Sequence, residues 1–266
     1  MNAAIATHPT VTQGRAFRAV LRRDVFVTWQ ELPVFLAQVI LQPLFLLFVF
    51  GKVLGSLGYT NHGYAHLLFL GLLALTAVIT GMQTLAFPLV VEFGWTKEIE
   101  DRLLAPMATG LVAAEKVLFA TLRAMVAATV MIPIGILVLG SIPWRVSGVP
   151  LLVVAIVLGS LLGAGLGLVM GTLVAPNRIN IVFSLVFTPL LFTGCSQYPW
   201  PSLASLRWFQ IVTACNPMTY VSESMRAALV PSVPHITPWV CILVLVCSLT
   251  VLMSIGVRGF YRRAID

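Results

Sequence analysis

Charge is what this sequence has least of. Only 9% of its 266 residues are Lys, Arg, Asp or Glu, and the mean hydropathy is +0.99. Soluble domains carry about 25% charged residues, so this poverty excludes a soluble enzyme or a nucleic-acid-binding module despite the net charge of +7. Catalytic motifs are missing too. The chain has no G-x-x-x-x-G-K-[ST] loop to cradle a nucleotide, no H-E-x-x-H and no G-x-S-x-G. Its four cysteines, Cys195, Cys215, Cys241 and Cys247, show no C-x-x-C spacing, which argues against a zinc or redox site. His62 and His66 stand four residues apart but have no carboxylate or cysteine cluster beside them, so no metal site is expected. Acidic residues and histidines are absent from the middle of the apolar runs, where a proton relay would need them.

What remains is a series of long apolar segments. A helix that spans a bilayer needs about 20 mostly apolar residues. The runs 32–54, 66–91, 117–142, 149–174, 179–194 and 236–257 are read as six transmembrane helices, the fifth being short. The expected fold is therefore an all-α integral membrane protein. Its parts are a disordered N-terminus (1–12), an amphipathic interfacial helix (13–31), a six-helix domain (32–257) and a C-terminal tail (258–266). The interfacial helix has Arg15, Arg18, Arg22 and Arg23 towards one side, with Phe17, Leu21, Val25 and Trp29 on another, a pattern that lies in the headgroup layer and contacts membrane lipids.

Six spans put both termini on one side, and charge selects the side. Placing the termini inside assigns twelve cations to inner segments: Arg15, Arg18, Arg22, Arg23, Lys97, Arg102, Lys116, Arg123, Arg178, Arg258, Arg262 and Arg263. Only Lys52, Arg145, Arg207 and Arg226 fall outside. The positive-inside rule then makes both termini and the loop 92–116 cytoplasmic.

That loop is the one strongly polar interruption. Lys97, Glu98, Glu100, Asp101 and Arg102 crowd into it, and on a helix Lys97–Asp101 and Glu98–Arg102 pair at i,i+4. Trp95, Ile99 and Leu103 share the same step and form a narrow apolar stripe that needs a partner; Pro106 ends the helix.

Inside the spans, Gly159, Gly163, Gly167 and Gly171 recur every four residues, so one face of that helix admits a close neighbour, in the same subunit or in a second one. Gln38 and Gln42 lie a turn apart in the first span. Thr76, Thr80, Gln83 and Thr84 share a face of the second, and Asn180, Ser184 and Thr188 one of the fifth. These residues are candidates to line a path, although interhelical hydrogen bonding is the simpler use. The outer loop 195–235 is too apolar to hang in water and is read as short helices dipping into the outer leaflet. Within it, Glu223 and Arg226 are placed to pair, and the pairing of Cys195 with Cys215 stays open.

Two motifs make the chain resemble the membrane subunits of type-2 ATP-binding-cassette exporters, a family that includes bacterial drug-efflux and polysaccharide-export permeases. The first is E-F-G-W-T-K-E-I-E-D-R-L-L-A-P-M, Glu92–Met107, which has Gly94-Trp95-Thr96 where a Gly-Thr pair is commoner. The second is Asn216-Pro217-Met218-Thr219-Tyr220 followed by Glu223 and Arg226.

The resemblance implies a permease subunit, not an enzyme, in the bacterial cytoplasmic membrane. It would pair with a second permease subunit and with cytoplasmic ATP-binding subunits that hold the ATP and Mg, leaving no cofactor in this chain. Trp95, Lys97, Glu98, Ile99, Asp101, Arg102 and Leu103 would form the coupling helix that docks on the ATPase. Asn216, Pro217, Tyr220, Glu223 and Arg226 would belong to the outer gate. The cargo expected is an amphipathic or hydrophobic compound, a drug or a lipid. Export of a lipid-linked glycan is the alternative, and an ion-coupled secondary transporter fits less well.

Overall fold

A computed structural model describes residues 13–59, 63–96, 108–142 and 144–265, without the side chains of Trp95, Thr96 and Ile265. The described residues are helical with short connections and contain no strand. Helix α1 (Gln13–Gln30) meets α2 (Leu32–Ser56) at Glu31, where Pro33 sits in the first turn of the new helix. Proline is tolerated there because that N–H would be unbonded anyway. Within α2, Pro43 interrupts the hydrogen-bond ladder, and the chain continues as a wider π-helical segment over Leu47–Val53.

Helix α3 (Tyr64–Val91) is apolar around its whole circumference and carries no stripe. Such a helix has no face to offer solvent and belongs in the centre of a bundle. The structure places it there, with nearly every residue from Leu68 to Val90 buried. It runs on as a π-helical turn, Glu92–Thr96. Helices α4 (Thr109–Leu139) and α5 (Val149–Leu173) pack on it, α9 (Pro238–Ile265) packs on α5, and all three leave their outward faces apolar and exposed, as lipid-facing surfaces require.

Among the described residues, five helices are long and apolar enough to cross a membrane: Leu32–Ser56, Tyr64–Gly94, Thr109–Leu139, Val146–Leu173 and Pro238–Ala264. The expected fifth span is instead the helix α6 (Ile179–Thr193), of 15 residues. At 1.5 Å per residue it reaches about 22 Å, short of the roughly 30 Å hydrocarbon core. It is followed by α7 (Arg207–Ala214), largely exposed, and α8 (Pro217–Leu229), which is buried against α3 and α5. Asn216 bonds to Thr193, and the far end of α8 rests on Gly148, so α8 rises from mid-depth to the bundle end that carries the start of α5. The opposite, basic end gathers α1, the end of α3, the start of α4 and the end of α9.

The glycine line of α5 faces α3 of the same chain. A Cβ at Gly163 would lie 2.1 Å from the Val78 carbonyl oxygen, and one at Gly167 would lie 2.7 Å from that of Met82. Gly159 meets Val221 of α8 at 2.7 Å, and Gly171 meets Leu89 at 2.8 Å. Across the seam, Gly81 of α3 leaves 2.7 Å to the Ser160 carbonyl oxygen. Backbone therefore lies on backbone here, which only small residues permit. Gly165 points elsewhere, with nothing closer than 3.4 Å. Gly163→Ala is expected to cost about 1–3 kcal/mol by overpacking, seen as a lower melting temperature in detergent. Gly165→Ala should be close to neutral, and equal effects of the two would contradict the seam.

Candidate permeation cleft, re-entrant helices and loop base

A polar cleft of about 210 Å³ opens between α2, α3 and α6. Four-residue spacing brings Gln38 and Gln42 of α2 to one wall, with Pro43, and Thr76, Thr80 and Gln83 of α3 to another; Phe187 of α6 completes it. The Thr76 hydroxyl is used up on the Leu72 carbonyl at 2.8 Å, whereas the buried Thr80 hydroxyl has no hydrogen-bond partner among the described residues. No charged side chain lines the cleft. Such a lining offers amide and hydroxyl contacts to an uncharged or amphipathic molecule and gives no counter-ion to a small ion.

Asn180, Ser184 and Thr188 do not join this cleft. They lie on the exposed face of α6, where Ser184 donates to the Asn180 carbonyl at 3.0 Å. Thr84 lines a different pocket, with Glu92 and Lys116. Polar spacing alone did not distinguish the faces, because both helices carry hydroxyls at helical intervals.

The re-entrant helices are held by one ion pair. Glu223 and Arg226, one turn apart on α8, are wholly buried, with Oε1 and Nη1 2.6 Å apart. The Glu223 carboxylate also accepts from the backbone N–H of Trp200 at 3.0 Å and of Ile236 at 3.1 Å. Arg226 donates to the Cys195 carbonyl. A single pair thus ties together the exit from α6, the turn before α7 and the approach to α9. In an apolar surround, loop backbone groups need such partners.

Asn216 caps α8, its Oδ1 accepting from the Met218 N–H at 3.0 Å, and Pro217 takes the first helical position. The Asn216 side chain also donates to Thr193 at 2.9 Å, and Tyr220 donates to the Ala214 carbonyl at 2.8 Å. Thr219 and Ser222 add bonds to Thr213 and Gly194 at 2.7 and 2.9 Å, contributions that sequence reasoning missed.

Cys195 and Cys215 are not bridged: Cys195 is buried and Cys215 exposed. Burial pushes the Cys195 thiol up to about 11, which keeps it protonated and unreactive at neutral pH.

At the basic end, Glu92 and Lys116 meet at 2.5 Å, both nearly buried. They are the first and last residues of the polar loop, so one ion pair closes its base. The signal was present in the sequence as opposite charges, Glu92 and Lys116, at facing ends of apolar runs. Beyond Trp95, whose backbone is in the π-helical turn, the expected coupling residues Lys97, Glu98, Ile99, Asp101, Arg102 and Leu103 lie outside the described residues.

Along α1, Arg15, Arg18, Arg22 and Arg23 are exposed, and Phe17 packs towards Leu89, Val112 and Phe260. Val25 and Trp29, on the apolar face, are exposed at 42% and 71%. Arg123 lays its guanidinium over the Phe35 ring at 3.8 Å.

The family model for the ABC-2 type transporter matches residues 15–230, from the first turn of α1 through the end of α8. The chain belongs to the ABC-2 type transporter family. Among curated proteins, none matches it in sequence. The ABC-2 match makes the chain a permease component and a multi-pass membrane protein, not a catalytic domain. The match takes in the polar cleft, the loop base and the re-entrant helices, and stops before α9.

Two expectations follow for this ABC-2 permease. Glu223→Ala, which strands a buried guanidinium, should cost about 3–5 kcal/mol, more than replacing both partners with Leu and Met; thermal unfolding of the two variants in detergent compares them. A water-soluble maleimide should modify Cys215 and leave Cys195 and Cys241 intact in the folded protein, read by mass spectrometry of the labelled peptides.

Proposed function

We propose that this chain is the membrane half of an ATP-driven exporter that moves an amphipathic or hydrophobic compound, a drug or a lipid, outward. The observation that carries the reading is the polar but uncharged cleft at Gln38, Gln42, Thr76, Thr80 and Gln83. It contains no acid or histidine for proton coupling and no cation to hold an anionic cargo. Energy must therefore come from elsewhere, and the sequence holds no nucleotide loop of its own.

In this reading a separate ATP-binding subunit holds ATP and Mg and docks against the stripe Trp95, Ile99 and Leu103, flanked by Lys97, Glu98, Asp101 and Arg102. The positive-inside distribution supports a cytoplasmic loop and cytoplasmic termini, and the reading sets them in a bacterial cell. Closure of the ATPase would push on the loop, and the Glu92–Lys116 pair would pass the movement to α3 and α4 together. Because α3 also forms a wall of the cleft, displacement of one end reshapes the path.

Helices α2 and α6, which wall the cleft, also expose Leu41, Phe45, Ile181 and Leu185. A second permease subunit set against this face would close it, with Asn180, Ser184 and Thr188 towards the shared path. The helices α7 and α8, braced by Asn216, Pro217, Tyr220, Glu223 and Arg226, would cover its outer end.

Reversing the charges across Lys97–Arg102 should abolish ATP-dependent efflux from vesicles, while membrane insertion and the melting temperature stay unchanged. Thr80→Val with Gln42→Leu should alter the cargo preference, read as a changed ratio of transport rates for two amphiphiles of different polarity. Wild-type efflux by the charge-reversed protein would overturn the reading.

A further inference from the structure

On the flank of the bundle, away from the cleft, an apolar groove of about 160 Å³ runs between the end of α1 and α4. Val25, Trp29, Phe119, Leu122 and Val126 line it, and Arg123 is its one charged wall. Arg123 also borders a polar pocket of about 250 Å³ that holds Arg23, Asp24, Glu31, Glu92 and Lys116. The two spaces share Thr28, Phe119 and Arg123, so the apolar groove adjoins the polar chamber at these side chains. Lys116 marks the basic end of α4, and Arg123 stands seven residues, about 10 Å, further in.

The ions of the chamber differ in what they already hold. Lys116 is engaged by Glu92 at 2.5 Å, and Arg23 approaches Asp24 at 3.9 Å. Arg123 has the Phe35 ring on one face, and its Nε is buried without a hydrogen-bond acceptor among the described residues. A buried guanidinium donor left unbonded is costly, and a phosphate oxygen satisfies its planar fork well. The exposed Trp29 and Val25 sit at the mouth of the groove, where an interfacial aromatic meets lipid.

We propose that this flank is a binding site for one glycerophospholipid of the surrounding leaflet. One acyl chain fills the groove between Trp29 and Val126, and the phosphodiester accepts hydrogen bonds from Arg123. Asp24, Glu31 and Glu92 around the same chamber disfavour a headgroup of several negative charges, so a single phosphodiester is the matched ligand. Because α1 forms one wall and α4 the other, the bound lipid braces the interfacial helix against the bundle. The site makes no use of the permeation cleft, and its test is independent of transport.

The test uses the purified full chain in detergent, titrated with phosphatidylethanolamine or with diacylglycerol of the same acyl chains. Phosphatidylethanolamine adds a phosphodiester and an ethanolammonium to diacylglycerol, so Arg123→Gln separates the phosphodiester's share from that of the ammonium beside Asp24, Glu31 and Glu92. Native mass spectrometry should show one tightly retained phosphatidylethanolamine and weaker retention of diacylglycerol. Arg123→Gln should raise the lipid Kd about tenfold or more, the range for loss of a charge-assisted hydrogen bond. Val126→Trp, which fills the groove and keeps the guanidinium, should raise it similarly and carries the test if Arg123→Gln does not fold. Arg207→Gln, at an exposed site on α7, should bind as wild type. Equal retention of the two lipids, or wild-type Kd in the Val126→Trp protein, would overturn the proposal.

Discussion

Between α3 and α5, backbone lies directly on backbone at Gly81, Gly163 and Gly167. A Cβ at Gly163 would lie 2.1 Å from the Val78 carbonyl oxygen, while Gly171 accommodates the Leu89 side chain and Gly159 that of Val221 in α8. In a bilayer the hydrophobic effect does not drive helices together, so association depends on close packing and on satisfied polar groups. The glycine seam supplies the first of these. It also sets where everything else stands: α3 is held at the centre, α4 and α9 gather around the pair, and α8 rests against the same line at Gly159.

The second requirement is met at the re-entrant helices. Two short helices and their turns inside an apolar bundle expose backbone donors and acceptors that no water can satisfy. Glu223 and Arg226 answer this by bonding each other and the backbone of Cys195, Trp200 and Ile236. A buried ion pair adds little net stability compared with apolar residues. Its value here is positional, since three segments distant in sequence are fixed by one carboxylate and one guanidinium.

Helix α3 links these features to transport. One face lies on the glycine seam, another lines the polar cleft, and its end carries Glu92, clasped to Lys116 at the start of α4. A rigid, fully packed helix transmits displacement because close-packed contacts do not deform continuously. The π-helical turn after Val91 is the natural place for local adjustment.

Much of this was legible in the residues themselves. Apolar runs, the shortage of charge and the motifs at 92–107 and 216–226 determined an all-α membrane permease, because hydropathy and length constrain a chain in lipid more tightly than in water. The four-residue glycine period announced a close helix contact, and the outer loop's apolarity announced re-entrant helices. Three things were decided only by tertiary structure. Periodicity names a face and not its neighbour, so the seam's partner, α3 of the same chain, was open. The hydroxyl lines of α3 and α6 look alike in sequence, yet one faces a cleft and the other an exposed surface. The Glu92–Lys116 clasp and the stacking of Arg123 on Phe35 depend on distances between helices, and sequence spacing carries no information about those.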